Sequence, residues 1–561
     1  MIGVVAPGSQ RSVVAEFFEL FKTPWEWVQP GRSYEVMLCA TDELPPNPAQ
    51  LVLIFFARAH SMDAQLEVKS VPQPTGAVLR GKHGLIPLLG ASMAFEGPPH
   101  LGLVEDSTGS SLAVQREGSS RTCVRVGYDF FDEVRRLLSS GQPLVHAGIP
   151  SLDLHICLLR DLMIGAGLPV IEIPPVPFGH PFAVCLTHDI DHPVFRNHCT
   201  DRTMIGFLYR STLGSVWDLL RGRKSVSAVA RNLLSVLRLP LVYLGLLPDP
   251  WREALVAYGN IERGLGSTFF AIPYGARPGS SLPGTTSGAS APRARGAGYD
   301  LAEIEPELRA LNREGAELGL HGIDAWSDGG AARDEAARVL RLTGESSLGV
   351  RMHWLYFDPE RSPAVLDDAG FTYDSTCGFN DAVGFRAGTA QVFRPPGATR
   401  LLELPLHVMD TALFYPGRMH LDPEEAKRLV AGIIGHLAAS GGVLTINWHD
   451  RSVVPERCWD EFYHWLLDEL KRTGAWFATA RQAVAWFQGR RAIRFNDVQR
   501  TGQEITIQTS LPEVETKAGY RLRVHHGRKA KEPEPDAADA FVDVALRTGR
   551  SVMHSLSLVS V

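Results

Sequence analysis

Short apolar runs recur between residues 183 and 450, and most of them end on an ionisable side chain. The runs at 184–186, 317–320 and 349–350 lead into Asp189 and Asp191, into His321, and into Arg351 and His353. Those at 371–373, 401–406 and 443–448 lead into Asp374, into His407 and Asp410, and into His449 and Asp450. A further run, 268–272, follows a helical stretch. Runs of this length read as buried strands, and helical patterns at 301–314, 331–342 and 423–439 separate many of them. Repeated strand–helix units with ionisable residues at the C-terminal strand ends predict an α/β fold, a (β/α) barrel with its site at one mouth. Its expected extent is 176–490, with insertions at 196–248 and 275–298.

The flanking regions follow other patterns. Residues 1–175 alternate strand-like runs (2–5, 34–39, 51–56) with a helix expected at 13–28, which predicts an open α/β domain with some parallel pairing. No glycine fingerprint for a dinucleotide follows the first strand. The proline-punctuated stretch 173–181 reads as a linker. Beyond residue 490, alternating runs at 504–508, 520–525 and 546–561 predict a small β-rich C-terminal module over 491–561, with 528–539 as a loop. The 275–298 insertion is rich in Gly, Ser, Pro and Ala and predicts a mobile loop.

The 196–248 insertion carries Arg202, Arg210, Arg221, Arg223, Lys224, Arg231 and Arg238 against few acids. Two readings stand: a cationic helix on a membrane surface or anionic glycan, or helices packed on the barrel with a solvated basic face.

Composition narrows the classes. A chain of 561 residues holds two to four domains. A net charge of −6 gives no electrostatic case for nucleic acid. Seven scattered cysteines without a CxxC pair read as buried reduced thiols. The N-terminus reads as a first strand, not a signal peptide. The longest unbroken apolar stretch, near 239–247, is too short to span a bilayer. The expectation is a cytoplasmic protein.

The candidate chemistry centres on Thr187-His188-Asp189-Ile190-Asp191-His192. With a side-chain period of two, Asp189 and Asp191 point to one side of the strand. Like charges that close are costly unless a cation binds them or they hold different protonation states.

This run resembles the first motif of the polysaccharide deacetylase family, the carbohydrate esterases of the NodB-homology fold. More closely it resembles a divergent bacterial branch of that family. Gly319-Leu320-His321, Gly349-Val350-Arg351-Met352-His353-Trp354-Leu355, Gly384-Phe385-Arg386-Ala387-Gly388-Thr389 and Trp448-His449 follow in the family's order, across roughly residues 180–490. The resemblance implies a hydrolase that removes an acyl group, N-acetyl above all, from an amino sugar of a glycan. It implies a divalent metal, usually zinc, held by a carboxylate and two histidines. Carried over position by position, Asp189 matches the base and Asp191 the metal carboxylate. His321 matches a metal histidine, Arg351 the third-motif arginine and His449 the late acid.

The family's second metal histidine would fall at Ala325. His353, at the end of the next strand, is the preferred substitute, with Asp324, His188 and His192 behind it. Arg386 and Asp374 either contact substrate or brace the barrel, and His407 and Asp410 rest on strand-end position alone. Trp354, with Tyr356, Trp326 and Trp448, either stacks on sugar or packs. Ala325 also leaves open a metal-free glycan-binding scaffold in polysaccharide assembly, and the basic insertion a membrane-surface accessory protein.

Overall fold

The computed structural model describes residues 1–97, 101–118, 121–222, 224–280, 295–502, 504–511, 518–528, 540–546 and 552–557. The chain forms two compact units, one of Met1–Gly179, Ala387–Pro396 and Ala485–Val561, the other of His180–Arg386 and Gly397–Val484. Residues 281–294 and 529–539, read from the sequence as loop, lie outside the described residues.

In the first unit a six-stranded sheet runs Ala113–Glu117, Thr122–Val126, Ala49–Phe55, Tyr34–Cys39, Ile2–Val5, Trp25–Trp27. Its neighbours are parallel except for the hairpin of the first two. The helix expected at 13–28 is Arg11–Phe21. Lys22 closes it in the left-handed region at φ 47°, and Pro24 disfavours helix at Thr23. The chain therefore turns, and Trp25–Trp27 joins the sheet beside the first strand. The expected late strands are Glu504–Ser510 and Tyr520–His525, each within a three-stranded sheet. None of the seven cysteines is bonded to another.

The second unit is built on one parallel sheet. Its strands are β1 (Ala183–Ile190), β2 (Ser267–Ala271), β3 (Glu317–Gly322), β4 (Gly349–Met352), β5 (Tyr373–Asp374), β6 (Leu402–Glu403), β7 (Val408–Met409), β8 (Val443–Asn447) and β9 (Trp476–Phe477). The order is β6-β5-β4-β3-β2-β1-β8-β7, with β9 also paired to β1. Helices Glu305–Arg313, Gly329–Thr343 and Pro423–Ser440 connect strands, the last two capped by the Asp328 and Asp422 side chains.

The barrel expectation is corrected to a curled parallel sheet, since β6 and β7 do not pair among the described residues. Those two edges are nevertheless joined by only Leu404, Pro405, Leu406 and His407. Five residue steps reach at most about 18 Å. Eight flat strands would hold the edges about 34 Å apart. The sheet must curl. Pro405 has no N–H, so a ladder is excluded there. Instead Leu404 N donates to Asp374 O (2.7 Å), Leu406 N to Cys377 O (2.9 Å) and His407 N to Thr445 O (3.1 Å). The strand expected at 401–406 is shortened to β6 for this reason.

The 196–248 insertion is helical, with Arg202–Ser211, Leu213–Leu220 and Val226–Tyr243. Most of the exposed large apolar side chains among the described residues lie here, Leu213, Trp217, Leu220, Leu237 and Leu246 among them. Val226–Tyr243 is long and apolar enough to cross a membrane, with mean hydropathy 1.2 over 18 residues, 28% of it buried. Arg231, Asn232 and Arg238 interrupt its apolar runs without lowering the average below that level.

Candidate metal centre

β1 is buried along its whole length, so its alternation sorts side chains to opposite faces. His188 goes to one side. Its ring stacks on Phe269 with centroids 4.5 Å apart, and it bonds Trp448 O (2.8 Å) and Glu262 Oε2 (3.1 Å). Thr187 and Asp189 go to the other side, and Asp191 follows just past the strand end.

Asp189 is clamped. Arg351 Nη1 donates to its Oδ1 at 3.0 Å and Asn447 Nδ2 to its Oδ2 at 2.7 Å, while Asp189 N donates to Asn447 Oδ1 at 3.2 Å. The fully buried Arg351 is fixed in turn by Thr187 Oγ1 (2.7 Å), Ser375 O (3.0 Å) and Ser375 Oγ (2.9 Å). Burial works against the charge on Asp189, yet His321, Arg351 and His449 hold its carboxyl below the ordinary carboxylate range.

His321 Nε2 lies 3.3 Å from Asp191 Oδ1, and His353 Nε2 lies 3.4 Å from the same oxygen. All three ligand atoms fall within 4.8 Å of one another. His321 Nδ1 donates to Arg351 O at 2.9 Å, and His353 Nδ1 to Arg295 O at 2.8 Å. A carbonyl cannot donate, so each Nδ1 carries a proton and each Nε2 is the atom that faces Asp191. His353 turns inward through a strained bend, since Trp354 (φ 62°) and Leu355 (φ 51°) are consecutive left-handed residues. Asn380 Nδ2 holds the bend by donating to Trp354 O at 2.8 Å.

These residues fit a divalent cation. Asp191 Oδ1 is buried without a hydrogen-bond partner, which is costly for a carboxylate oxygen unless something positive meets it. Burial pushes His353 down to about 4, more than Asp191 raises it, so its imidazole is neutral, as a ligand must be. Burial opposes the charge on Asp191 as well, but His353, His321 and His449 hold it well below the usual range. A carboxylate and two imidazoles make the three-ligand set of an open catalytic zinc site.

His449 stands beside this cluster. Its Nε2 is 3.8 Å from Asp191 Oδ2, and its Nδ1 donates to Asp410 Oδ1 at 2.6 Å. Asp410 also accepts from His449 N at 2.7 Å and from Ser452 Oγ. Burial lowers the His449 imidazole, but Asp410, Asp191 and Asp189 outweigh it and raise it to about 9.

Asp189, Asp191, His321, His353, Trp354 and His449 all line one cavity of about 560 Å³, and Arg351 backs it through Asp189. Of the other sequence candidates for this site, His192 alone also lines the cavity. Asp374 is buried beside Glu403; burial raises both carboxyls, and the Asp374 charge raises Glu403 further. Arg386 donates to Gly378 O at 2.7 Å, so it braces a loop. Neither lines the cavity. His407 bridges the sheet edges through its backbone. His192 lines the cavity, but its Nδ1 is 3.3 Å from His198 Nε2. Asp324 accepts from Ser280 N at 2.6 Å, and Ala325 is buried.

Three contributors carried no sequence signal: Asn447, the Arg295 carbonyl and Ser375. Asp410 had only its strand-end position.

No protein-family model matches the sequence, and no curated protein matches it. Among solved structures, one described as a polysaccharide deacetylase from Mycobacterium smegmatis is 18% identical, with TM-score 0.33, over 56% of this chain and 95% of that one. PuuE allantoinase is 15% identical, with TM-score 0.31, over 56% and 92%. A structure described as a polysaccharide deacetylase from Pseudomonas aeruginosa PAO1 is 14% identical, with TM-score 0.30, over 55% and 94%.

Proposed function

We propose that the chain is a metal-dependent hydrolase that removes an acyl group, N-acetyl, from an amino sugar of a glycan or glycan precursor. The observation that carries this reading is the pairing of Asp191, His321 and His353 around one orphaned oxygen with a separately clamped carboxylate, Asp189. Asp191, His321 and His353 would hold the ion, zinc by donor type. When bound, such an ion polarises an acyl carbonyl and brings a water's pKa from about 15.7 to near 7.

The chain's own residues supply the rest. Asp189 is ionised and oriented by Arg351 and Asn447, so it accepts the proton of the attacking water. His449, protonated and aimed by Asp410, donates to the departing amine nitrogen. The test is acetate release from N-acetylated oligosaccharides, with and without chelator, for the wild type and Asp189→Asn. Chelator-sensitive turnover that Asp189→Asn removes is expected. No bound metal and no turnover on any glycan overturns the reading.

A second property has its own observation. The exposed apolar helices of the insertion, which also carry exposed Arg221 and Arg238, suit an anionic lipid surface. Co-sedimentation with phosphatidylglycerol vesicles, lost in Leu237→Gln/Leu241→Gln, is expected. Concentration-dependent dimerisation without vesicle binding overturns it.

A further inference from the structure

The cavity that holds the Asp–His cluster is also lined by Arg202, Arg418, Arg451 and Arg457. Three of these guanidiniums, those of Arg418, Arg451 and Arg457, lean on aromatic rings and hydroxyls. Arg457 lies 4.7 Å from the Trp459 ring and Arg451 5.2 Å from that of Trp251. Arg418 donates to Thr411 Oγ1 at 2.6 Å and lies 5.5 Å from the Trp354 ring. None of the four forms an ion pair within 4.0 Å among the described residues. Arg457 is only 5% exposed, and its Nε is buried without a partner. Behind them Arg210 Nε is buried and unpartnered too.

Asp381 favours the charge on Arg418 and Asp450 that on Arg451, but burial outweighs both and neither acid forms an ion pair with them within 4.0 Å among the described residues. Asp410 is committed to His449 and Ser452, and Glu456 is buried with Oε1 unpartnered. Burial raises Glu456 above its ordinary value, even against the three arginines around it. Burial and the Arg457 charge together push Arg451 down to about 10. Tyr415, among these groups on the cavity wall, is shifted the other way. Burial would raise its phenol, but Arg457, Arg210, Arg451 and Arg418 hold it below its usual value. Like charges packed this closely are stabilised by an anion of matching shape, and the guanidinium fork fits carboxylate and phosphate oxygens two at a time.

We propose that the cavity is selective for an anionic sugar, with Arg418, Arg451 and Arg457 receiving a carboxylate or phosphate of the same molecule whose acyl group meets the Asp–His cluster. The position of the acyl group rests on the hydrolase reading; the anion site does not. At about 560 Å³ the cavity has room for such a ligand.

The test is calorimetric binding of glucose 6-phosphate, glucuronate and glucose to the wild-type protein, none of which carries an acyl group to lose. One of the two anionic sugars is expected to bind at least tenfold tighter than glucose, and which one does so separates phosphate from carboxylate. Arg457→Gln and the less buried Arg418→Gln should each remove most of that margin, with near-ultraviolet circular dichroism unchanged in at least Arg418→Gln. His353→Ala should keep the margin. Equal affinity for all three sugars, no detectable binding of either anion, or a margin unchanged in both arginine variants overturns the proposal. Acetate release without this margin sinks the anion site alone, and the margin without acetate release sinks the hydrolase reading alone.

Discussion

Two groups of charged side chains line one cavity and are built on opposite terms. Around Asp191 every partner is aimed: His321 and His353 by backbone carbonyls, Asp189 by Arg351 and Asn447, His449 by Asp410. Around Tyr415 the guanidiniums of Arg418, Arg451 and Arg457 rest on rings and form no ion pair within 4.0 Å among the described residues. Fixed donors suit an ion that demands a set geometry and stays. Charges with spare hydrogen-bonding capacity suit a ligand that comes and goes. Preorganisation is spent where the chemistry is, and capacity is left where substrate must be exchanged.

The sharpest way to break that contrast is Asp191→Asn, which leaves two imidazoles without a carboxylate. Metal content by mass spectrometry should fall close to zero, and turnover should drop on the order of 10³-fold or more. Asp189→Asn comes next. Metal content should hold while turnover falls about 10²–10⁴-fold, the range for a lost general base. Loss of metal in that variant would merge two roles that the geometry keeps apart.

Asp410→Asn acts through His449. The imidazole is protonated below its raised value of about 9 and neutral above it, so proton donation is lost as pH rises through that value. Removing the Asp410 charge lowers it, and the alkaline limb of the pH–rate profile should move acidward by about 1–3 units. A bound dication lowers His449 in both proteins, so the difference between them is the measurement. His192→Ala should do least, leaving metal content unchanged; loss of metal there would make His192 a ligand.

The strand ends of the second unit were legible because a parallel sheet delivers its functional groups at one edge, and apolar runs ending in Asp, His or Arg mark that edge. Asp189, Asp191, His321, Arg351 and His449 are the residues this rule singles out, with His353 added by the strand that ends just before it, and the structure gathers them at one cavity. The same rule pointed to Asp374, which is buried beside Glu403. Strand-end position does not tell a cavity wall from the packed layer beneath it. Asn447 and Ser375 are small polar residues whose meaning arises only when β8 and the turn after β5 meet β1 and β4. The curl of the sheet was hidden for a different reason. Period-two patterns report burial, whereas the edge-to-edge passage at Leu404–His407 is set by a proline and by the carbonyls of Asp374, Cys377 and Thr445.

The Asn447 clamp on Asp189 has a temporal side. The two residues are 258 positions apart. A ribosome adding about 5–20 residues per second needs roughly 13–50 s to cover that distance. Throughout that interval β1 waits for β8, and Asp189, which Arg351 can reach earlier, lacks its Asn447 partner. Contacts of such long sequence separation also slow the closure that follows release. The Asp189 clamp of the nascent second unit is therefore incomplete until nearly all of the unit has been made, and a chaperone holding β1 would act on that window.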